Sequence, residues 1–122
     1  MTDSLSIRPI TAPDEAAWRA LWLAYLRFYD TDLPESVIAN TFARLISGAA
    51  AEPRGFLAFR GEKAVGLVHY LFHRHCWRVE DVCYLQDLFT APEARGPGAG
   101  RGLIAAVDAA ADAGGARAVA WL

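Results

Sequence analysis

Asp87-Leu-Phe-Thr-Ala-Pro-Glu-Ala-Arg95-Gly-Pro-Gly-Ala-Gly100-Arg-Gly-Leu-Ile104 is a strand-like run that breaks into a glycine-rich turn and then enters an alanine-rich helix. Gly96, Gly98, Gly100 and Gly102 fall within seven residues. Such a turn lets the backbone approach a ligand closely and take φ values that side chains forbid. The N–H groups that open a helix have no intrahelical partners and lie at the positive end of its dipole, so a phosphate or pyrophosphate complements them. The candidate donors are the main chains of Gly96, Gly98, Ala99, Gly100 and Arg101, and the Arg101 guanidinium adds a charge-assisted contact. Pro97 cannot donate but pre-sets φ for the helix start.

Working outward, the helix begins at Gly98 or Ala99 and runs to Ala113, with Leu103, Ile104, Val107 and Ala111 inward and Gly114-Gly115 as its stop. Ala116 to Leu122 reads as a strand, and a helical crossover makes it parallel to the strand that ends at Thr90. Upstream, Cys83 to Thr90, Ala64 to His73 and Phe56 to Phe59 form three consecutive antiparallel strands, the first two chain segments joined by a tight turn at Arg60-Gly-Glu-Lys63. Two helices precede them. Trp18, Leu21, Trp22, Tyr25, Leu26 and Tyr29 recur at three and four, after Thr11 as cap and Pro13 in the first turn. Glu35 to Ser47 carries Val37, Ile38, Phe42, Leu45 and Ile46, and Gly48 ends it. Ser4 to Ile10 alternates as a first strand. The fold class is therefore α/β with a mixed sheet, in the order β-α-α-β-β-β-α-β.

At 122 residues, residues 1–122 form a single domain, 54% hydrophobic and 21% charged, with no room for a long disordered tract. A net charge of −2 argues against a general nucleic-acid surface and leaves basic small molecules or basic peptides open as partners. There is no apolar run long enough to cross a membrane and no secretion-type leader, so we expect no membrane partner and a cytoplasmic location. Cys76 and Cys83 fit no zinc spacing. If Val79-Glu80 is a two-residue hairpin tip, the two face each other across the strands; the plainer expectation is two reduced thiols.

Two familiar phosphate loops do not fit the turn. A Walker-type loop needs Lys-Ser/Thr where Arg101-Gly102 stands. A dinucleotide fingerprint follows the first strand of a parallel sheet, whereas this turn follows three antiparallel strands, and the next strand ends Ala120-Trp121-Leu122 without an acid. Arg95-Gly-Pro-Gly-Ala-Gly100, in this order of elements, instead resembles the GNAT superfamily of N-acetyltransferases, whose acetyl-CoA motif reads Gln/Arg-x-x-Gly-x-Gly/Ala at the same junction. The tract from His69-Tyr-Leu-Phe-His73 through Tyr84-Leu-Gln-Asp-Leu88 looks closest to the branch of polyamine and small histone or amino-acid acetyltransferases.

The resemblance implies acetyl-CoA as cofactor, held by Arg95, Gly96, Gly98, Ala99, Gly100 and Arg101, with its pantetheine arm paired to the main chain of Leu88, Phe89 and Thr90. It implies direct acetyl transfer to a primary amine of a small molecule or basic peptide; the alternative is a non-catalytic CoA-binding or dimerisation module. Where polyamine-type relatives carry a glutamate, this chain has Gln86, which cannot act as a base, and strict strand alternation turns Asp87 to the other face. A water chain or an already neutral amine would then serve. The customary tyrosine acid sits on a helix after the fifth strand, so a chain ending at Leu122 is expected to be an incomplete domain, without that tyrosine and without the final α-β-β. An unpaired Ala116 to Leu122 edge then invites a homodimer with strand exchange.

The remaining catalytic candidates are Gln86, Asp87 and His73. His69, His73 and His75 lack a carboxylate at matching spacing, so no metal is expected. Tyr25, Tyr29, Asp30 and Asp32 cluster where the first helix meets the second, a region that lines the acceptor pocket in similar enzymes; two carboxylates and two phenols suit an ammonium group. The tryptophans, Trp77 among them, are better explained by packing or interface burial than by ligand stacking.

Overall fold

The computed structural model describes residues 4–92, 98–116 and 119–121. Strand β1 (Leu5–Pro9) leads through a short 3-10 turn (Ala12–Asp14) into helix α1 (Glu15–Phe28), followed by α2 (Glu35–Leu45). Strands β2 (Arg54–Arg60), β3 (Lys63–His73) and β4 (Val82–Thr90) follow, then α3 (Ala99–Ala113) and β5 (Val119–Trp121). The sheet order is β1-β2-β3-β4-β5, antiparallel through β4, with β5 parallel to β4. Element order and strand directions agree with the sequence expectation, and α2 ends two residues early, a fraying difference at a helix terminus.

The sheet separates two cores. Trp18, Leu21, Trp22 and Leu26 of α1, with Ile38, Phe42 and Leu45 of α2, cover one face, where they meet Leu57, Phe59, Leu67 and Phe89. On the other face α3 lays Ala99, Leu103, Val107 and Ala111 over Ala58, Val68, Cys83 and Leu85. The three-and-four spacing of the helices supplies both apolar stripes. Gly102 serves this packing: a side chain there would run into Ile7 of β1, so glycine is what lets α3 lie close on the sheet.

Asp14 ties the first strand to the first helix. Its carboxylate accepts both guanidinium branches of Arg8, each at 2.8 Å, together with the N–H of Thr11 at 2.8 Å and the Thr11 hydroxyl at 2.9 Å. Those bonds, led by that from Arg8, hold the Asp14 carboxyl down at about 2 despite its burial. A carboxylate whose pKa is depressed by folding stabilises the native state above the ordinary carboxylate range and stops doing so as pH falls toward the depressed value. Asp14→Ala is expected to cost about 1–2 kcal/mol at pH 7, the half-exposed Arg8 reducing the full linkage value. In urea titrations the gap from the parent should close as pH falls from 4 to 2.

The connection between β3 and β4 differs from the hairpin expected there. Cys83 pairs with Phe72 and His73 with Val82, so residues 74–81 form an open loop whose base is drawn together by Arg74 and Asp81, 3.3 Å apart, and Val79-Glu80 is not a two-residue tip. Cys83 is buried and burial pushes its thiol up to about 11, while Cys76 is exposed on that loop, so the two do not face each other. Trp77 lies on the same loop, 89% exposed, edge-on to His75 rather than packed in the core.

Strand β4 itself is irregular. His69 pairs with Asp87 but Tyr70 pairs with Leu85, leaving Gln86 as an extra residue opposite β3, a β-bulge. Cys83 and Leu85 face α3, whereas Phe89, at the same parity of numbering, faces α1. The bulge switches the side-chain faces partway along one strand, because a one-residue slip inverts every later position.

Candidate active site

β5 pairs with β4 at Cys83, Tyr84 and Leu85, which leaves the Leu88 to Thr90 part of β4 beyond the described pairing. The Ala91 N–H donates to the Val65 carbonyl at 2.8 Å, and hydrogen-bonded pairs alternate along an antiparallel ladder. Phe89 therefore directs its peptide groups toward Leu67 on β3, and Leu88 and Thr90 direct theirs to the opposite edge. Of the three residues expected to offer main chain to a ligand, Leu88 and Thr90 are placed to do so, and Phe89 contributes its ring.

The start of α3 meets that edge. Gly98 precedes the helix with φ +108°, a left-handed value that suits glycine, and its carbonyl accepts the first helical bond, from the Gly102 N–H at 2.7 Å. The N–H groups of Ala99, Gly100 and Arg101 are then the ones without intrahelical acceptors. α1 and α2 open with Glu15 and Glu35, whereas the first turn of α3 carries no acid and no side-chain cap. The positive end of the helix dipole is left for an anion. Arg95 and Gly96, the lead-in of the expected cradle, lie outside the described residues.

The end of α1 completes the enclosure. Tyr25, Phe28, Tyr29, Leu88, Phe89, Thr90 and Gly100 line a cleft of about 200 Å³. Tyr25 is stacked on Trp22 and meets Tyr29 and Phe89 edge-on. The cleft thus brings together two of the four expected acceptor residues and four of the expected cofactor residues. Asp30 and Asp32 are exposed in the connection after α1 and are not part of its lining.

Beneath the cleft runs a chain of polar contacts that the sequence reading did not connect. The Tyr25 hydroxyl donates to Asp87 Oδ1 at 2.9 Å, Asp87 Oδ2 lies 2.9 Å from His69 Nδ1, and the Trp18 indole donates to His69 Nε2 at 3.0 Å. His69 is 3% exposed, packed against the rings of Trp18 and Trp22. The bulge at Gln86 is what turns Asp87 to this face; strict alternation, which separated Asp87 from the acceptor side, does not hold through it. Burial first, and then the Asp87 carboxylate, push the Tyr25 phenol well above its usual value, so it remains a neutral hydroxyl.

The other two catalytic candidates lie apart from this chain. Gln86 is exposed at the bulge. His73 sits at the far end of β3, on the order of 20 Å along the strand from the cleft, where its ring meets Tyr84 and its Nδ1 the Arg74 carbonyl. Among the described residues no group of three or more His, Cys, Asp or Glu side chains could hold a metal ion, and no helix is long and apolar enough to cross a membrane.

Residues 15–122 match the Acetyltransferase (GNAT) family. The chain is 40% identical, over its whole length and 76% of the relative's, to the D-amino-acid N-acetyltransferase HPA3 of Saccharomyces cerevisiae. Among solved structures, the aminoglycoside acetyltransferase AAC(6')-Iy in complex with a CoA-linked bisubstrate analogue aligns at a TM-score of 0.84 and 20% identity, over 98% of this chain and 79% of that one. An integron cassette protein from a salt-marsh metagenome aligns at 0.87 and 21%, over 94% and 75%. The fold read from the strands and helices is the fold of those two structures, and with the family match spanning all but the first strand and turn, this chain belongs to the GNAT family of acetyltransferases.

Proposed function

We propose that this chain catalyses acetyl-CoA-dependent N-acetylation of a primary amine on a small molecule or basic peptide, by direct transfer with both substrates at the β4 edge. Family membership makes it an acyltransferase that uses acetyl-CoA. The observation that carries the reading is the single cleft in which the opening turn of α3, the Leu88–Thr90 edge and the two tyrosines of α1 meet. The residues fit the cofactor: the N–H groups of Ala99, Gly100 and Arg101 suit a pyrophosphate, and the main chains of Leu88 and Thr90 suit an extended amide-bearing arm. Gly98 permits the turn, and Arg95 and Gly96 join the set from the sequence motif. Acetyl-CoA supplies the activated acetyl thioester when bound.

The protein's part is positioning. Tyr25 and Tyr29 offer hydroxyls and ring faces to an ammonium or amine, and Asp87 adds negative charge behind Tyr25. Asp30 and Asp32 stay in the proposal as exposed carboxylates that draw a cationic acceptor toward the end of α1. The D-amino-acid N-acetyltransferase at 40% identity makes amino-acid α-amines the first acceptors to try. β5 stands last in the sheet, and a strand at an edge supports the proposed homodimer with strand exchange; sedimentation of a well-folded monomer would count against that part.

The test is a panel of D- and L-amino acids, polyamines and lysine-bearing peptides incubated with acetyl-CoA labelled in its acetyl group. Saturable release of free thiol, matched one for one by labelled amide, is the expected result. Calorimetric binding of acetyl-CoA with no transfer to any amine would replace the enzyme by a CoA-binding module, and no heat at all would defeat both readings.

A further inference from the structure

The four side chains beneath the cleft fix more than their own positions. An indole N–H can only donate, so the His69 Nε2 that it meets at 3.0 Å must carry a lone pair. The single ring proton of neutral His69 is then on Nδ1, where it is donated to Asp87 Oδ2 at 2.9 Å. A second ring proton would set two donors against each other at Nε2. A carboxylate only accepts, and with Oδ2 engaged by His69 its Oδ1 takes the hydrogen of the Tyr25 hydroxyl at 2.9 Å. A phenol has one hydrogen. Once it is turned inward, the oxygen that Tyr25 shows to the cleft has lone pairs and nothing to donate.

We propose that Trp18, His69 and Asp87 form a hydrogen-bond polarity lock that makes Tyr25 an acceptor toward the cleft, selecting a substrate group that brings its own N–H and excluding a carboxylate or carbonyl oxygen from that place. This rests on the reading of the cleft as the acceptor site. It assigns a role to His69 and Trp18, which touch neither substrate: they are positioning residues acting through Asp87. For an acceptor that carries both an amine and a carboxylate, the lock sets which end faces Tyr25. The amine goes in, and the carboxylate stays away.

One substitution should reverse the polarity. In Asp87→Asn the Trp18 contact still holds the proton on His69 Nδ1, so the asparagine must turn its oxygen to His69 and its NH₂ to Tyr25. Tyr25 then accepts from the asparagine and points its own hydrogen into the cleft.

Two measurements on the full chain test this. In a long-range proton–nitrogen correlation spectrum of protein labelled with ¹⁵N-histidine, His69 is expected as the neutral Nδ1–H tautomer; an Nε2–H tautomer or a doubly protonated ring overturns the lock whatever the enzyme's activity. In steady-state kinetics Asp87→Asn and Tyr25→Phe should each raise the KM for the amine by about tenfold or more, the loss of a hydrogen bond to a charged group, with the KM for acetyl-CoA within about twofold. The double variant should be no worse than Tyr25→Phe alone, because Asp87 acts through the hydroxyl. Additive losses would show that the charge of Asp87, and not the orientation of Tyr25, is what matters. Parent protein that acetylates no amine would sink the acceptor-site reading itself, a failure distinct from a wrong tautomer.

Discussion

Gly100→Asp should weaken acetyl-CoA binding by about a hundredfold while making the ligand-free protein more stable. The two effects come from one charge. Gly100 is the second residue of α3 and lines the cleft, and a Cβ there would meet nothing closer than Thr90 Cγ2 at 3.9 Å, an ordinary contact. The substitution therefore fits. Because the first turn of α3 has no acid of its own, a carboxylate there complements the helix dipole, worth about 0.5 kcal/mol, or about 2 °C in Tm for a domain of this size. In the proposed cofactor site the same carboxylate competes with the cofactor's anion. Between two like charges a few ångströms apart, in surroundings of intermediate dielectric, the repulsion is worth about 3 kcal/mol, which is the hundredfold. Calorimetry with acetyl-CoA and a thermal melt of the apo protein read the two sides. Gly100→Ala adds the methyl without the charge and should keep most of the affinity. A melt that drops together with binding would mean that the turn is structural and not an anion site.

Inserting one alanine between Asp87 and Leu88 should destabilise the protein by about 3 kcal/mol or more, whereas deleting Gln86 should leave it cooperatively folded, and Gln86→Ala should change stability by less than about 0.5 kcal/mol. The Gln86 side chain is exposed, and the residue is one extra unit of backbone opposite β3. Without it, Leu85 and Asp87 become neighbours, and regular alternation keeps Leu85 under α3 and Asp87 and Phe89 toward α1, in the pairings that Tyr70 and His69 already make. The insertion does the opposite: it inverts every later position, so that Phe89 leaves the α1 core, at about 2–3 kcal/mol, and Ala91 leaves it too. The expected result is a cooperative urea transition for the deletion variant and a strongly lowered midpoint for the insertion variant. A deletion variant with no cooperative transition would show that the bulge does more than set the faces of β4.

Much of the architecture was legible because it is written in periodicity. The three-and-four recurrence from Trp18 to Tyr29 gave α1, and the glycine turn gave the strand-to-helix junction that the structure shows at Gly98. The bulge was not legible. Tyr84-Leu-Gln-Asp87 alternates as well with a bulge as without one, since a bulge is a property of the pairing with β3 and leaves no mark in the strand's own sequence. Everything that depends on it was hidden too, above all the contact of Asp87 with His69 and Tyr25. Each of those three residues stands out separately in the sequence, but strict alternation turns Asp87 away from the face it occupies. The loop at 74–81 escaped for a related reason: with no Asn-Gly or Asp-Gly pair to pin a turn, nothing local fixed where β3 and β4 part. Asp30 and Asp32 show the converse limit, because closeness in sequence to Tyr29 did not carry them into the cleft.

The spatial order of the strands, which repeats their order along the chain, has a kinetic consequence. β2, β3 and β4 form a meander within residues 54–90, so their pairing closes only short loops and costs little chain entropy. The two pairings that close longer loops, β1 across α1 and α2 and β5 across α3, add strands to the margins of a sheet that already exists. The meander, with Leu67 at its centre, is the natural folding nucleus, and mutations there should slow folding, whereas mutations in β1 should chiefly hasten unfolding. The bulge lies inside that nucleus. The register that aims Asp87 at Tyr25 is thereby set early, before the helix that opens the proposed cofactor site has been made.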